Sequence, residues 1–587
     1  MSRAVPATRE ERTWWKEAVA YQIYPRSFND SNGDGVGDLP GITEKVEYLD
    51  SLGVDVVWLC PVYDSPNADN GYDIRDYRAI AEEFGTMADW EELVGELHAR
   101  DMRLIMDLVV NHTSAEHEWF QKSRRREGGY EDYYIWQAGE RDEPPNNWES
   151  IFGGPAWSWD EERDAWYLHL FDENQPDLNW QNPAVRADVK ELMRWWLEKG
   201  IDGFRMDAIN FLSKREGLPD GDPDRPLVGA EHYRHGPNLQ AYLEEVSDDV
   251  LSEYDVVTVG EMGGTAVDEA ADFLSGGSLD MVFQFNHLTV DEGPNGAWDR
   301  EGWGEWELTE FKRLVTRCQH ELAAESWDAV FLGNHDLPRV VSRFGSDEYR
   351  TESAKLLATF LLTLRGTPFL YQGDEVGMTN AEFDSLDELD DPMTTGIVEE
   401  LLATGEISSY EEVREFVNYR SRDHARTPMQ WTSSPNAEFT DGDPWFAVNE
   451  NYPEVNVERA VADEASVWHH YRRLIGLRQD EETLVYGDYD LLVPDDEQLY
   501  AYTRSLEDET VLVVLNWSER TARFETNLDT DDADVLVGNY ANVPTTPVGR
   551  EFRPYEAVVY RLRGSTATDP TVRTNRTTEH TEGNHDT

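Results

Sequence analysis

Short apolar segments alternate along the chain with longer amphipathic segments. The short segments are rich in β-branched and aromatic residues, which predicts strands. The longer segments, such as 89–100, 184–199 and 353–364, carry apolar residues every three or four positions, which predicts helices with one buried face. Eight strand candidates lie at residues 18–24, 54–60, 103–109, 201–205, 256–260, 281–285, 329–332 and 368–371.

This alternation predicts the fold class. Strands that are separated by helices run in the same direction and form a parallel sheet. Eight such units predict an α/β fold, a (β/α)8 TIM barrel, with its functional residues at the carboxyl ends of the strands. Two segments interrupt the pattern: 113–182 predicts an irregular inserted subdomain after the third strand, and 379–461 a second insertion after the eighth.

The pattern changes near residue 486 to short alternating strands, at 499–504, 510–516 and 557–562. These predict a C-terminal antiparallel β-sandwich, and the Thr- and Asn-rich residues after it predict a disordered tail. The predicted domains are a catalytic barrel of residues 13–112 and 183–485, the inserted subdomain of 113–182, the sandwich of 486–563 and the tail of 564–587.

The chain is strongly acidic, with 51 basic residues against 119 acidic ones and a net charge of −68. Nucleic acids and anionic membranes are therefore excluded as partners, because a polyanion would be repelled. Only eight of the basic residues are lysine, and the acids are spread along the whole chain. This composition favours a halophilic protein of a salt-rich cytoplasm over an ordinary acidic mesophilic one.

The sequence shows no pattern typical of disulfide-bonded, membrane-spanning or secreted proteins. Cys60 and Cys318, the two cysteines, both lie in apolar segments, so no disulfide framework is expected. No apolar run approaches the roughly 20 residues of a membrane span, and residues 1–15 lack the apolar core of a signal peptide. We expect a cytoplasmic monomer or small homo-oligomer.

Four polar clusters follow four of the predicted strands. Arg205 and Asp207 are two positions apart on an extended segment, so their side chains point to the same face. In a parallel barrel the carboxyl ends of all strands meet at one rim, which predicts a single site. The clusters are Asp107 with Asn111 and His112, Arg205 with Asp207, Glu261, and Asn334 with His335 and Asp336.

Together these clusters resemble the four signature regions of glycoside hydrolase family 13, the α-amylase family. Three further motifs are similar to its oligo-1,6-glucosidase and α-glucosidase branch: QIYPRSF at 22–28, QPDLN at 175–179 and SRDHARTPMQW at 421–431. The resemblance covers roughly residues 13 to 562. It implies a glycosidase that acts on small α-glucosides without an organic cofactor.

Retaining glycosidases use two carboxylates about 5 Å apart, a nucleophile and an acid/base. We expect Asp207 to be the nucleophile, because Arg205 should depress its pKa and keep it ionised. Glu261 follows an apolar run with no adjacent cation, so a raised pKa suited to proton donation is expected. The resemblance implies the same roles, and it implies that Asp336 is a third carboxylate that binds sugar hydroxyls. The alternative is that each acid only caps a strand end.

The resemblance also implies residues that bind the sugar. His112 and His335 match residues that hydrogen-bond the sugar, although a lone histidine is usually an ordinary buried one. Asp69 and Tyr72 match residues that close the non-reducing end and stack on the sugar, and Arg422 matches the arginine that pairs with that aspartate. The alternative for the sequence around Asp69 is a surface turn.

A glycine-rich acidic segment near the N-terminus resembles the beginning of an EF-hand loop, with oxygen ligands at alternate positions. Its twelfth position is Gly41, where a true EF-hand has glutamate. Related α-glucosidases hold a divalent ion in a similar loop, which implies structural Ca²⁺ here, and an acidic turn without metal is the alternative. The implied ligands are Asp30, Asn32, Asp34, Val36 and Asp38.

These observations predict a retaining, exo-acting α-glucosidase with the first insertion as a pocket wall. In this branch valine after the nucleophile accompanies α-1,6 activity, so Ala208 implies a preference for α-1,4 bonds. An oligo-1,6-glucosidase and a trehalose synthase or transglycosylase are the alternatives. A non-catalytic transporter heavy chain shares the fold, but it has a membrane span and lacks the full set of acids.

We predict that activity and melting temperature both rise from dilute buffer into molar KCl or NaCl. The folded chain concentrates like charges, and 1 M salt screens them beyond about 3 Å. Thermal melts and assays across a salt series, with excess calcium present, test this. A melting temperature that is highest in dilute buffer would show that the acidity serves another purpose.

Overall fold

The structure, a computed structural model, describes residues 13–294, 296–322 and 326–563. All eight predicted strands are present and close into one parallel barrel, in which each strand pairs with the next and the last with the first. The predicted fold class is therefore confirmed. The strands are β1 (Ala20–Ile23), β2 (Val56–Leu59), β3 (Arg103–Val109), β4 (Gly203–Asp207), β5 (Val257–Glu261), β6 (Met281–Phe283), β7 (Asp328–Val330) and β8 (Thr367–Tyr371).

The largest difference from the predicted strands is in β4, which ends two residues later than expected. Met206 pairs with Leu108 and Asp207 with Val109 of β3. The ladder therefore continues through the polar residue that the hydrophobic pattern had placed beyond the strand. Asp207 is held by backbone pairing rather than by a loop.

Helices surround the barrel, and those predicted at 89–100, 184–199 and 353–364 are present with shifted ends. The second of them stops where Gly200 adopts a left-handed conformation (φ 107°), which favours glycine. The α-helices are Trp14–Glu17, Leu39–Glu44, Val46–Leu52, Met87–His98, Glu118–Arg124, Pro183–Lys199, Ala230–Tyr233, Leu239–Asp249, Val267–Ser275, Leu308–Glu321, Val340–Phe344, Arg350–Thr363, Pro392–Thr404, Arg414–Arg420, Asp423–Arg426, Val457–Ala462, Val467–Asp480 and Glu482–Tyr486.

The two insertions begin at the carboxyl ends of barrel strands, one after β3 and one after β8. After β3, a small antiparallel sheet has Ala165–Leu168 between Trp136–Gln137 and Trp157–Asp160. After β8, the helices Pro392–Thr404 and Arg414–Arg420 precede the segment that carries Arg422. A further pair of strands, Tyr63–Asp64 and Asp76–Ile80, follows β2. All of these additions therefore belong to the face of the barrel where the polar clusters lie.

The C-terminal region is an antiparallel sheet of five strands with a second layer of two. Phe524 and Phe552 from the smaller layer join Leu512 and Val514 in one apolar core. The three predicted strands are present with two more at the sheet edges, and the predicted tail, 564–587, lies outside the described residues. In sheet order the five are Asp488–Leu491, Leu499–Leu506, Glu509–Asn516, Ala557–Leu562 and Asp534–Gly538, and the two are Ala522–Arg523 and Glu551–Phe552.

One lysine joins the barrel to the C-terminal region. Lys312, on the helix Leu308–Glu321, is fully buried and donates to the carbonyl oxygens of Val493, Asp496 and Leu499 at 2.6, 2.5 and 3.1 Å. Burial lowers the pKa of Lys312 to about 8. The three carbonyls compensate the ammonium for the water it loses, since each accepts one of its hydrogens.

Aromatic rings fill the barrel beneath the rim. Trp58 stacks on Phe283 at 5.3 Å between ring centroids, and Phe283 meets Phe369 edge-on at 4.8 Å. The Trp58 indole also donates to Asp107 Oδ2 at 2.7 Å. Cys60 and Cys318 are both buried and free, and no helix among the described residues is long and apolar enough to cross a bilayer.

Candidate active site

Arg205 is the centre of the polar group at the carboxyl end of the barrel. Its side chain is 1% exposed, and its two terminal nitrogens contact three carboxylates. Nη1 lies 2.5 Å from Asp107 Oδ1 and 2.7 Å from Asp207 Oδ1, and Nη2 lies 2.8 Å from Glu261 Oε2. Three of the four predicted clusters therefore meet at one guanidinium.

Strand register explains why these groups meet. Arg205 is level with Asp107 of β3 and with Val259 of β5. Gly260 pairs with Met206, so the same register continued by one residue places Glu261 beside Asp207. Neighbouring strands are about 4.8 Å apart, so the two carboxylates start from adjacent backbone positions.

The ionisation of this group differs from the sequence prediction. Burial raises the pKa of Asp207 well above its usual range, and the charges of Glu261 and Asp107 add to this, while Arg205 opposes it. Burial also raises the pKa of Asp107 to about 6, against the effect of Arg205. The predicted net lowering at Asp207 is wrong, because burial and the two neighbouring carboxylates together outweigh the effect of Arg205. A proton bound here is shared among Asp107, Asp207 and Glu261 and is not assigned to one of them.

The prediction that Glu261 has no cationic neighbour is also wrong. Its Oε2 contacts Arg205 from the adjacent strand and accepts the backbone N–H of Ala208 at 3.0 Å. Ala208 adopts a left-handed conformation, with φ 44°, which a non-glycine residue takes only at a local cost. That conformation aims its N–H at Glu261, so the turn after β4 fixes the position of the acid on β5.

Asp336, from the fourth predicted cluster, lies in a second group of cations. Its Oδ1 is 3.0 Å from Arg422 Nη1 and 3.1 Å from Arg426 Nη2, and its Oδ2 is 3.1 Å from His335 Nε2. Burial opposes ionisation, but these three neighbours outweigh it and lower the pKa of Asp336 below its usual range. Asp336 is therefore expected to be ionised at neutral pH.

His335 is neutral and has a defined tautomer. Burial lowers its pKa to about 3. The Gln22 amide donates to Nδ1 at 2.8 Å, so Nε2 carries the proton and donates to Asp336. The ring stacks on Tyr72, with centroids 5.2 Å apart and an angle of 9° between the planes. His335 and Tyr72, both predicted to bind sugar, therefore support each other's orientation.

Asp69, His112 and Arg422 lie in the same pocket. Gln175, from the first insertion, donates to Asp69 Oδ2 at 3.0 Å and lies 3.1 Å from His112 Nε2. Burial raises the pKa of Asp69 to about 7, and burial lowers the pKa of His112 to about 4. Arg422 approaches Asp69 at 3.9 Å, the longest of its ion pairs.

The shortest contacts of Arg422 are with Asp391, which the sequence did not identify. Asp391 Oδ1 lies 2.5 Å from Nη2 and 2.9 Å from Nε. Asp391 is fully buried and caps the helix Pro392–Thr404. An aspartate before proline is a helix-start signal, but that signal carries no information about what else the carboxylate touches.

A buried ion pair joins the first insertion to the barrel. Like Asp391, this ion pair was not predicted from the sequence. Lys214, seven residues after Asp207, lies 2.5 Å from Asp177 Oδ2 and donates to Asn111 Oδ1 at 2.9 Å. Asp177 belongs to the QPDLN motif that also supplies Gln175. The ion pair therefore positions the residues around His112 and Asp69.

Several of these groups, among them Tyr72, His112, Arg422 and Arg426, line one pocket of about 440 Å³ at the carboxyl end of the barrel. Asp69, Asp207, Glu261 and Asp336 line its floor. Aromatic and apolar side chains from the two insertions and from the loop after β6 form its walls. They include Ile151, Phe152, Phe171, Trp298 and Met393, which no sequence motif had marked.

The acidic loop of residues 30–38 folds as successive turns. Asp30, Asn32 and Asp34 each accept, through Oδ1, the backbone N–H two residues ahead at 2.9 Å. Asp38 instead caps the helix Leu39–Glu44, accepting from Gly41 N at 2.6 Å. Among the described residues, no three acidic, histidine or cysteine side chains gather into a metal cluster. The oxygen donors thus share one loop but do not converge as a carboxylate cage.

Comparison with known families identifies the family to which this chain belongs. The alpha amylase catalytic domain family matches residues 22–487, and the maltogenic amylase C-terminal domain family matches residues 489–559. The chain belongs to the α-amylase family. It is a glycoside hydrolase, so the non-catalytic transporter heavy chain is excluded.

Several α-amylase family proteins are similar over nearly their whole length. The oligo-1,6-glucosidase of Parageobacillus thermoglucosidasius is 51% identical, over 94% of this chain and 100% of that protein. Among solved structures, the isomaltulose synthase of Klebsiella sp. LX3 is 43% identical with a TM-score of 0.90. The trehalose-6-phosphate hydrolase of Bacillus licheniformis is 44% identical with a TM-score of 0.88, and both alignments cover 94% of this chain and 100% of the other.

We predict that Asp391→Asn raises KM for small glucosides about tenfold or more, with a smaller change in kcat. Asparagine still caps the helix, but Arg422 loses the charge that anchors it in the pocket. Steady-state kinetics test this, with a thermal melt to check folding. Asp387→Asn, an exposed change in the same segment, is the control, and a loss confined to kcat would contradict the positioning role.

Proposed function

We propose that this chain is a retaining, exo-acting α-glucosidase that releases terminal glucose from short α-glucosides. The observation that carries the proposal is the placement of Asp207 and Glu261 on neighbouring strands with one guanidinium between them. Retaining enzymes hold their two carboxyls about 5–5.5 Å apart, whereas inverting enzymes need about 6.5–9.5 Å to admit a water. Adjacent strand positions favour the shorter separation.

The chemistry follows from this placement. Asp207 attacks the anomeric carbon while Glu261 gives its proton to the glycosidic oxygen, so the leaving group departs neutral and a glucosyl ester forms. Glu261 then takes a proton from water, the water attacks the anomeric carbon, and Asp207 is released. Arg205 contacts both acids, so the one proton that they share must lie on Glu261 before the attack, with Asp207 as the ionised partner that forms the ester.

The pocket walls support action at chain ends. Asp69 and Arg422, the latter anchored by the buried Asp391, line the pocket with the catalytic acids, and Phe152 and Phe171 from the first insertion line it as well. A buried floor of charged groups suits the hydroxyls of one terminal glucose, each of which both donates and accepts hydrogen bonds. This arrangement favours the binding of a chain end over the middle of a longer chain.

The linkage preference rests on Ala208, which lines the pocket beside Glu261. A small residue there favours α-1,4 bonds within this branch, so maltose-type substrates come first in our proposal. The second candidate is an oligo-1,6-glucosidase, and it is favoured by the names of similar proteins. The names of the neighbouring synthases keep transglycosylation as a third outcome.

We predict that the protein in molar KCl cleaves maltose faster than isomaltose. Ala208→Val should shift the ratio toward isomaltose, by roughly 200-fold at most, because one added methyl-scale contact is worth only about 1–3 kcal/mol. Chromatography of products from maltose, isomaltose, sucrose and trehalose measures this. Asp207→Asn is the inactive control, and faster cleavage of isomaltose by the unmodified protein would favour the oligo-1,6-glucosidase.

We also propose that the loop of residues 30–38 binds Ca²⁺. The donors would be the side-chain oxygens of Asp30, Asn32, Asp34 and Asp38 and the main-chain carbonyl of Val36. The Oδ1 atoms of Asn32 and Asp34 each accept one N–H in the turns described above and have other lone pairs to offer. Asp30 accepts from the N–H groups of Asn32, Gly33 and Gly35 and from the Thr440 hydroxyl, so an ion would have to share or replace some of these bonds. An all-oxygen set on a flexible loop suits Ca²⁺ better than a transition metal.

If so, Ca²⁺ should raise the melting temperature and EDTA should lower it, at constant KCl, because an ion bound only by the folded state stabilises that state. Asp34→Ala removes an exposed donor and should abolish the difference. Asp441→Ala, near the same loop but outside the proposed donor set, is the control. Identical melts of the unmodified protein in Ca²⁺ and EDTA would count against the metal.

A further inference from the structure

Arg234 is a cation of the pocket that the proposed reaction does not use. Arg234 lines the pocket, and within the described residues its Nε has no hydrogen-bond partner. The charges that act on it are those of Tyr233 and Arg225, not those of a carboxylate, and burial lowers the pKa of Arg234. Its guanidinium lies 5.9 Å from the ring centroid of Phe211.

The other arginines that line the pocket are all paired with acids. Arg422 contacts Asp336 and Asp391, Arg426 contacts Asp336, and Arg420 contacts Glu292 at 2.8 Å. In a chain with 119 acidic residues, an arginine in a pocket without an acidic partner is unusual. Leaving such a charge partly buried costs stability, so a ligand that pairs with it would recover that cost.

Arg234 lies on the leaving-group side of the pocket. The acid/base Glu261 faces the glycosidic oxygen, so the residues that follow it border the leaving group. Gly263 and Gly264 follow it and line the pocket. The Arg234 Nη1 nitrogen would be 2.4 Å from a Cβ atom built on Gly264, so the guanidinium lies directly against this backbone.

We propose that Arg234 is a specificity-determining residue that recognises an anionic leaving group, and that the substrates include α-glucosides whose aglycone carries a carboxylate or phosphate. This inference rests on the proposed function. Arginine binds both anions through paired N–H donors in one plane. The carboxylates on the pocket floor repel an anion from the glucose side, so the charge also selects the direction in which such a substrate enters.

The test compares matched neutral and anionic substrates at one salt concentration. Maltose is paired with maltobionate, which has gluconate as its aglycone, and with maltose phosphorylated at C6 of the reducing glucose. The ratio of kcat/KM for anionic to neutral substrate should fall about tenfold or more in Arg234→Met, because a charge-assisted contact is lost. Arg234→Lys should retain part of the preference.

The outcomes separate the two proposals. If only one of the two anionic substrates responds to Arg234→Met, that anion is the recognised chemistry. If the variant loses activity equally on neutral and anionic substrates, Arg234 only packs on Phe211 and the inference is overturned. If the unmodified protein hydrolyses neither maltose, isomaltose nor 4-nitrophenyl α-glucoside, the proposed function fails, and this inference fails with it.

Discussion

The structure depends on the contact of one buried guanidinium with three carboxylates. Isolated charges cannot be buried without a large loss of hydration, so each member of this group requires the others. The aromatic layer beneath it excludes water, and the indole of Trp58 satisfies an oxygen of Asp107 that no cation reaches. Because three neighbouring parallel strands supply the four residues, the pairing of β3, β4 and β5 also brings the site together. A change in register of β4 or β5 would disturb the ion group and the fold together.

The sequence predicted the barrel well because strand and helix periodicities are local properties of the chain. The eight strands, the rim position of the clusters and the face shared by Arg205 and Asp207 all follow from spacing alone. Contacts between side chains on different strands do not follow from spacing. Nothing near Glu261 in the sequence shows that Arg205 touches it, and this led to the wrong expectation for its surroundings. The direction of the pKa shift at Asp207 was wrong for a related reason, since it depends first on burial and then on the carboxylates of neighbouring strands.

The residues that the sequence missed are mostly on the insertions and loops. Asp391 and Met393 lie at a helix start far along the chain from β4, and Phe152 and Phe171 lie in a segment with no clear periodicity. Their positions depend on long-range anchors such as the ion pair of Lys214 with Asp177. The barrel thus supplies the reacting acids, while segments with weak local patterns shape the space in which a substrate must fit. This division explains how proteins of similar structure can carry the names of different activities.

The ammonium of Lys312 has a consequence for the modularity of this protein. Two family segments meet at residues 487–489, which invites the view that the C-terminal sheet is an independent module. Its loop carbonyls, however, are the partners of a lysine that belongs to a barrel helix. If the sheet were exchanged for that of a relative, the carbonyl acceptors would be replaced while the donor, Lys312, stayed in the barrel. Recombination at this boundary therefore has to preserve the helix that carries Lys312 and the segment that supplies its acceptors as a pair.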